Sequence, residues 1–152
     1  MPTTATRPPT NYFPQLAAER PDIAICRAST LVARAAEEHA TEHGFGVGQH
    51  LVLKMLAVVG PCSQQTLSEE LRIDRSVMVG IADDLERSGL VRRERNPNDR
   101  RAYAVSITNP GRKALTKAEN TTPAFLDRTF ANLTPTERRQ LTALLGKLLN
   151  IG

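Results

Sequence analysis

Between Ser63 and Thr108 the hydrophobic period changes from helical to alternating, and few arrangements accommodate both halves of that change. Ser63 stands where it can cap "SQQTLSEELRI", in which Leu67 and Leu71 are four apart and stack on one helical face. Asp74 is expected to cap a second helix, "DRSVMVGIADDLERSGL", and Gly89 can take the left-handed conformation that ends it. Two short helices joined by so short a turn read as a helix-turn-helix. "LVRRER" and "AYAVSIT" follow as strand-like segments on either side of "NPND", whose Pro and Asn/Asp residues favour a turn. The stretch predicts a helix-turn-helix followed by a β-hairpin.

The rest of the chain is helical in pattern. At 152 residues and 40% hydrophobic it has material for one core of ordinary size. Residues 1–21, with five prolines among threonines, predict a flexible arm that no continuous helix can cross. From Asp22, a candidate cap, Ile23, Cys26, Leu31, Ala35 and His39 recur at helical spacing until Gly44. The glycines of "GFGVGQ" lead into a short, very apolar helix that ends at Gly60-Pro61 and must be buried on most sides. Thr108 or Asn109 caps another helix with Pro110 at its start, and Pro123 is expected to kink or divide it. The last helix begins at Thr134, with Pro135 at its first position and Glu137 completing a capping box. Its stripe of Leu141, Leu144, Leu145, Leu148, Leu149 and Ile151 is wider than one small partner helix covers, so it reads as a subunit interface. An intramolecular core stripe is the alternative. The fold class expected is mainly α with a small β-hairpin wing.

On a wheel of about 100° per residue, Val77, Met78, Ile81 and Leu85 fall on one side of the second helix and are expected to pack inward. The other side shows Ser76, Val79, Gly80, Asp83 and Arg87, with Arg75 beside the N-terminus. An exposed Val next to a Gly suits a helix laid in a major groove. Val79 can touch a thymine methyl, Gly80 lets the backbone come close, and Arg75 and Ser76 can reach base edges or phosphates. Asp83, Asp84 and Glu86 would be repelled by DNA, so only the first two turns should enter.

The formal charge is +4, and the five arginines at 92, 93, 95, 100 and 101 against Glu94 and Asp99 leave +3 of it on the hairpin. Arg100 and Arg101 are the candidates for insertion into a minor groove, which favours arginine electrostatically. Asp99 is assigned the ordering of that tip, Pro97 and Asn98 its turn, and Tyr103, Val105 and Ile107 the pinning of the strand. A solvated, aggregation-resistant edge is the bland alternative for such a hairpin.

Other function classes find less support. The sequence carries no Gly-rich phosphate loop, no G-x-S-x-G, no paired carboxylates and no metal motif, so no enzyme and no cofactor are expected. Cys26 and Cys62 lack C-x-x-C spacing and are expected to be buried and inert in a reducing cytoplasm. No segment has the length and apolarity of a signal peptide core or a membrane span, so no membrane association is expected. His39 and His43 stand one helical turn apart and His50 follows, but without a later histidine they read as ordinary surface residues rather than a zinc site.

Residues 67–112, "LSEELRIDRSVMVGIADDLERSGLVRRERNPNDRRAYAVSITNPGR", resemble the MarR-type winged helix-turn-helix transcription regulators. Asp-Arg-Ser, then Leu-Glu-Arg-x-Gly-Leu-Val-x-Arg, then Asp-Arg-Arg, then a Thr and Gly-Arg carry the likeness, and flanking helices extend it to about residues 22–150. The resemblance implies a homodimer whose N- and C-terminal helices interlock, with residues 22–45 and 109–152 as dimerisation helices around a winged DNA-binding domain at 46–108. It further implies a repressor of a pseudo-palindromic double-stranded operator, released by a small lipophilic or phenolic ligand. By motif, Asp74 to Arg87 is the recognition helix, Gln64, Gln65 and Thr66 belong to its supporting helix, and Asp99, Arg100 and Arg101 form the wing tip. Where many members carry Thr-Arg midway along the recognition helix this chain has Val79-Gly80, which shifts recognition toward Arg75, Ser76 and the wing.

For the ligand crevice the resemblance points to His50, with His39 and Cys26 as further candidates; a redox response through Cys26 is one alternative. A winged-helix module that binds protein instead of DNA is the other.

Overall fold

The structure, a computed structural model, describes residues 11–96 and 99–151; between residues 96 and 102 only backbone is described. Among the described residues there are seven helices, α1 (Tyr12–Glu19), α2 (Pro21–His43), α3 (Val47–Val59), α4 (Gln64–Leu71), α5 (Arg75–Arg87), α6 (Asn109–Thr129) and α7 (Pro135–Leu148). Three strands accompany them, β1 (Cys62–Ser63), β2 (Val91–Asn96) and β3 (Asp99–Ile107). They form one antiparallel sheet in the order β1-β3-β2. Val91 faces Ile107 and Arg95 faces Tyr103, and the register shifts at Asn96, which pairs with Asp99.

Local chemistry explains most boundaries. Ser63 Oγ accepts from the Thr66 amide at 3.1 Å and starts α4, while Thr108 Oγ1 accepts from the Gly111 amide at 3.1 Å and starts α6. Thr134 and Glu137 exchange hydrogen bonds at 3.2 and 2.9 Å, the capping box expected for α7. Gly44 and Gly89 take positive φ at the ends of α2 and α5. The α4–α5 turn relies on Arg72, a non-glycine at φ 54°, whose guanidinium donates to the Leu149 carbonyl at 3.1 Å and so ties the turn to the end of α7.

Several expectations are corrected. Tyr12–Glu19 is helical within the stretch read as an arm: Pro14 sits in the first turn, where no amide has a helical partner, and the break comes only at Arg20, extended before Pro21. The first ten residues of that arm lie outside the described residues. Asp22 falls inside the first turn of α2, bonded to Arg20 at 2.9 and 2.7 Å, and the cap position belongs to Arg20. Asp74 occupies the cap position of α5, but its side chain accepts no hydrogen bond there. Pro123 does not divide α6: it removes one amide, while Thr121 and Thr122 donate to the Ala118 carbonyl nearby. β1 pairs with β3 across only two residues, too short to leave a sequence pattern.

One core holds the winged part together. Val52, Leu53 and Leu56 of α3, Leu67 of α4, Met78 and Leu85 of α5, Val91 and Val105 are buried as one cluster, and Ala82 of α5 is buried as well. Each leucine there contributes about 1.5–3 kcal/mol relative to exposure. By contrast α1, α2 and α7 bury no residue fully, and α6 buries only Gly111. The described chain is a packed winged domain with long helices attached.

Candidate nucleic-acid interface

The first turns of α4 and α5 share one face. Gln64, Gln65, Arg75 and Val79 line a single shallow depression, and Gln64 and Val79 continue into a second one with Asp83, Glu86, Arg93 and Tyr103. Arg75, Ser76 and Gly80 are exposed, Val79 is 47% exposed, and a methyl built on Gly80 would meet no atom within 4 Å. Thr66 is exposed, but its hydroxyl accepts from Ser63 Oγ at 3.0 Å and belongs to the cap. The structure therefore brings the helix residues singled out from sequence onto one open surface.

The wheel needs two changes. Met78 and Leu85 are buried with Ala82, which the sequence reading passed over, whereas Val77 is 54% exposed and Ile81 half-buried. The winged core is supplied mainly by α3, so the inward direction of α5 points between Met78 and Ala82 rather than at Val77.

Arg93, counted with the basic hairpin, is a strut. Its guanidinium, 21% exposed, lies 2.7 Å from Asp83 and 3.4 Å from Glu86, and its amide donates to Glu86 at 3.1 Å. This clamps β2 onto α5 and draws two carboxylates that face DNA poorly into an internal pair. Asp84 is paired with Arg87 at 3.0 Å, an exposed pair within α5. Tyr103 is corrected too: Val105 pins β3 into the core, but Tyr103 is 52% exposed over the cleft between α5 and the wing. Asp99, Arg100 and Arg101 begin β3 in backbone, and their side-chain roles fall outside the described residues, as does the turn at Pro97 and Asn98.

A second site lies behind the first. Residues of α2, α3, α6 and the α2–α3 loop, among them His39, Phe45, His50, Lys54, Thr122 and Phe125, line a cavity of about 300 Å³. His50 Nε2 lies 3.4 Å from Glu119, which Lys54 also reaches at 3.1 Å. Lys54, with His50 adding, holds the Glu119 carboxyl below its ordinary range against the opposing effect of burial. Thr121 donates its hydroxyl proton to the Ala118 carbonyl at 2.8 Å, so its oxygen accepts from His39 Nε2 at 3.2 Å. His39 Nδ1 is then a bare acceptor, buried and unpaired among the described residues. Burial first, then the His43 and Arg128 side chains, hold the His39 imidazole below its usual range.

His39 and His50 thus meet, but Cys26 does not join them. Thirteen residues before His39 on α2, it lies about 20 Å along the axis and about 140° around it. It is exposed rather than buried, because the inner stripe of α2 runs through Val32, Ala35, Ala36, His39 and Ala40. Cys62 is half-buried, and burial pushes its thiol up. Among the described residues no group of three or more His, Cys, Asp or Glu side chains is arranged to hold a metal ion, and no helix is long and apolar enough to cross a membrane.

An open-faced second helix braced against an antiparallel hairpin, on a core shared with a supporting helix, defines a winged helix-turn-helix protein. The sequence pattern of the MarR family matches residues 47–103, and the chain is 31% identical over 123 residues to YkoM of Bacillus subtilis, an uncharacterized HTH-type transcriptional regulator. That alignment covers 81% of this chain and 80% of YkoM. The fold superposes on the transcriptional repressor CouR bound to a 23-mer DNA duplex with a TM-score of 0.80, at 27% identity, over 87% of this chain and 94% of that one. CouR from Rhodococcus jostii RHA1 bound to p-coumaroyl-CoA gives a TM-score of 0.72 at 25% identity, covering 87% and 93%. The chain belongs to the MarR family, and it is a transcriptional regulator and not an enzyme.

Proposed function

We propose that the protein is a homodimeric repressor that reads a pseudo-palindromic operator through α5 and the wing and releases it when a small ligand occupies the cavity beside His39 and His50. The open face of Arg75, Ser76, Val79 and Gly80 beside Gln64 and Gln65 carries this reading, because these α5 residues are exposed among the described residues and two small residues leave room for base edges. Arg100 and Arg101 supply the minor-groove contact, with Asp99 ordering the tip.

Dimerisation is supported by what the fold leaves uncovered. Leu31 of α2, Leu126 of α6 and Leu144, Leu148, Leu149 and Ile151 at the C-terminus are all exposed. Residues 22–45 and 109–152 then form the dimer body and 46–108 the reading head. For the ligand, Phe45 and Phe125 offer apolar walls, the bare His39 Nδ1 asks for a hydroxyl donor, and Lys54 and His50 suit a negative group. A lipophilic phenol or hydroxylated aromatic acid fits all three. Repression by such a protein follows from occupancy of the operator.

Selection of bound duplexes from a random pool, followed by release screening with hydroxylated aromatic acids, tests the whole scheme. Arg101→Ala is expected to cost about 1–3 kcal/mol of operator affinity and leave the dimer intact. Unchanged affinity in anisotropy titrations at fixed salt would remove the wing assignment. Replacing Arg93 with Gln exposes the charge of Asp83 and Glu86 to DNA and lowers affinity about fivefold, on the order of 1 kcal/mol. Adding Asp83→Asn and Glu86→Gln to that variant should restore binding; if it does not, Arg93 itself contacts DNA and is not a strut.

A further inference from the structure

All three histidines of the chain gather where α2, α3 and α6 meet. His39 and His43 stack with ring centroids 4.2 Å apart, His39 lies 4.8 Å from the Phe125 ring, and His43 Nδ1 donates to the His39 carbonyl at 2.9 Å. His50 approaches Phe45 edge-on from α3. We propose that this junction is a proton switch: protonation of His39 opens the α2–α6 contact and weakens operator binding without any other ligand. The inference rests on the DNA-binding reading above and is independent of the effector.

The physical reason is that the junction is built around a neutral His39. With Nε2 donating to Thr121, a second proton must go to Nδ1, which is buried and has no acceptor among the described residues. The new charge would face His43 on its own helix, Arg128 on α6 and His50 on α3, all unfavourable, with Glu42 as the opposing carboxylate. Arg34 and Glu38 line the same side of α2 and offset one another. Lys54 and Glu119 complete the surroundings, and that carboxylate is engaged by Lys54 and His50.

Imidazole held below its ordinary value of about 6.5 takes up fewer protons in the closed junction than in an opened one. The closed form therefore loses ground as pH falls below about 6.5, and the loss levels off beneath the depressed value. A route from the junction to α5 exists. Gly48, in the first turn of α3 beside the cavity, leaves so little room that an added methyl would lie 2.7 Å from Ile81 Cδ1. A shift of the α3 N-terminus toward α5 would meet Ile81 first.

Operator anisotropy at fixed salt between pH 8.0 and 5.5 tests the proposal, with the selected duplex as probe. Wild-type affinity is expected to fall about three- to tenfold on acidification, a direction opposite to that of a histidine contacting phosphate. His39→Gln should flatten the profile, while His50→Gln leaves the fall in place. A flat or rising wild-type profile with binding intact at pH 7.5 overturns the proposal, and so does an equal fall in His39→Gln. A duplex bound at no pH removes the DNA reading itself. Should His39→Gln not fold, an NMR titration of the wild-type imidazoles decides, since His39 titrating at or above about 6.5 overturns the switch.

Discussion

Replacing Leu144 and Leu148 together with Asp is expected to yield monomers that keep their helices and bind operator roughly 10²- to 10⁴-fold more weakly. Both side chains are nearly two-thirds exposed within the chain, at 63% and 64%, so the winged core does not feel the change. α7 is joined to the rest of the chain mainly by Arg138 to Asp127 at 2.7 Å and by Arg72 to the Leu149 carbonyl. Leu141 and Leu145 are half-buried, whereas Leu144 and Leu148 have little cover among the described residues. Burying a carboxylate in a dimer interface costs several kcal/mol, enough to separate the subunits. In the proposed scheme a monomer would hold one half-site, and the lost factor is the effective concentration of the second winged domain once the first has bound. Sedimentation, circular dichroism and anisotropy on the same preparation separate the terms. A variant that still sediments as a dimer refutes the α7 interface, whatever its affinity.

The second large effect concerns Gly111, and it is a matter of stability. Thr108 is a hub: its amide donates to the Leu90 carbonyl at 3.1 Å, its hydroxyl to the Gly89 carbonyl at 2.7 Å, and its oxygen caps α6 through the Gly111 amide. This binds the end of α5, the base of the wing and the start of α6 at one point. It also draws Gly111 against Leu90 so closely that a methyl there would overlap the Leu90 carbonyl oxygen and come within 2.9 Å of Ile107 Cγ1. Backbone cannot give way as a side chain can, so Gly111→Ala is expected to destabilise by about 3 kcal/mol. For a chain of this size that lowers Tm by roughly 6–12 °C. Gly80→Ala is the control, since the space around Gly80 is open and alanine gains about 0.8–1.0 kcal/mol of helix propensity. Equal melting temperatures for Gly111→Ala and the parent would show that α6 can slide off Leu90 at no cost.

Much of the winged domain was legible because its signals are local. A serine three residues before an amide it caps, a Thr-Pro-x-Glu box, and glycines where the backbone must turn left-handed each act within one helical turn. The open face of α5 was legible for the same reason, since helix geometry sets which residues share a side. Where two local signals competed, neighbours decided. Pro14 and Pro21 read as helix breakers, yet one falls in a first turn and the other at a first position, where neither costs a hydrogen bond.

By itself, then, the sequence determined the order of elements from α2 onward apart from β1, the caps at Ser63, Thr108 and Thr134, the helix-turn-helix followed by a hairpin, and the face that α5 leaves open. Tertiary structure alone decided what long-range packing controls. Arg93 became a strut because β2 folds back onto the acidic side of α5, and Tyr103 faced a cleft that it shares with Val79, Asp83 and Arg93. Cys26 was turned outward by the stripe that α2 presents to α6, and His39 was stripped of a partner by Thr121, 82 residues away. Each of these depends on which side chain stands opposite at a distance of a few ångströms, a quantity that no spacing along the chain encodes.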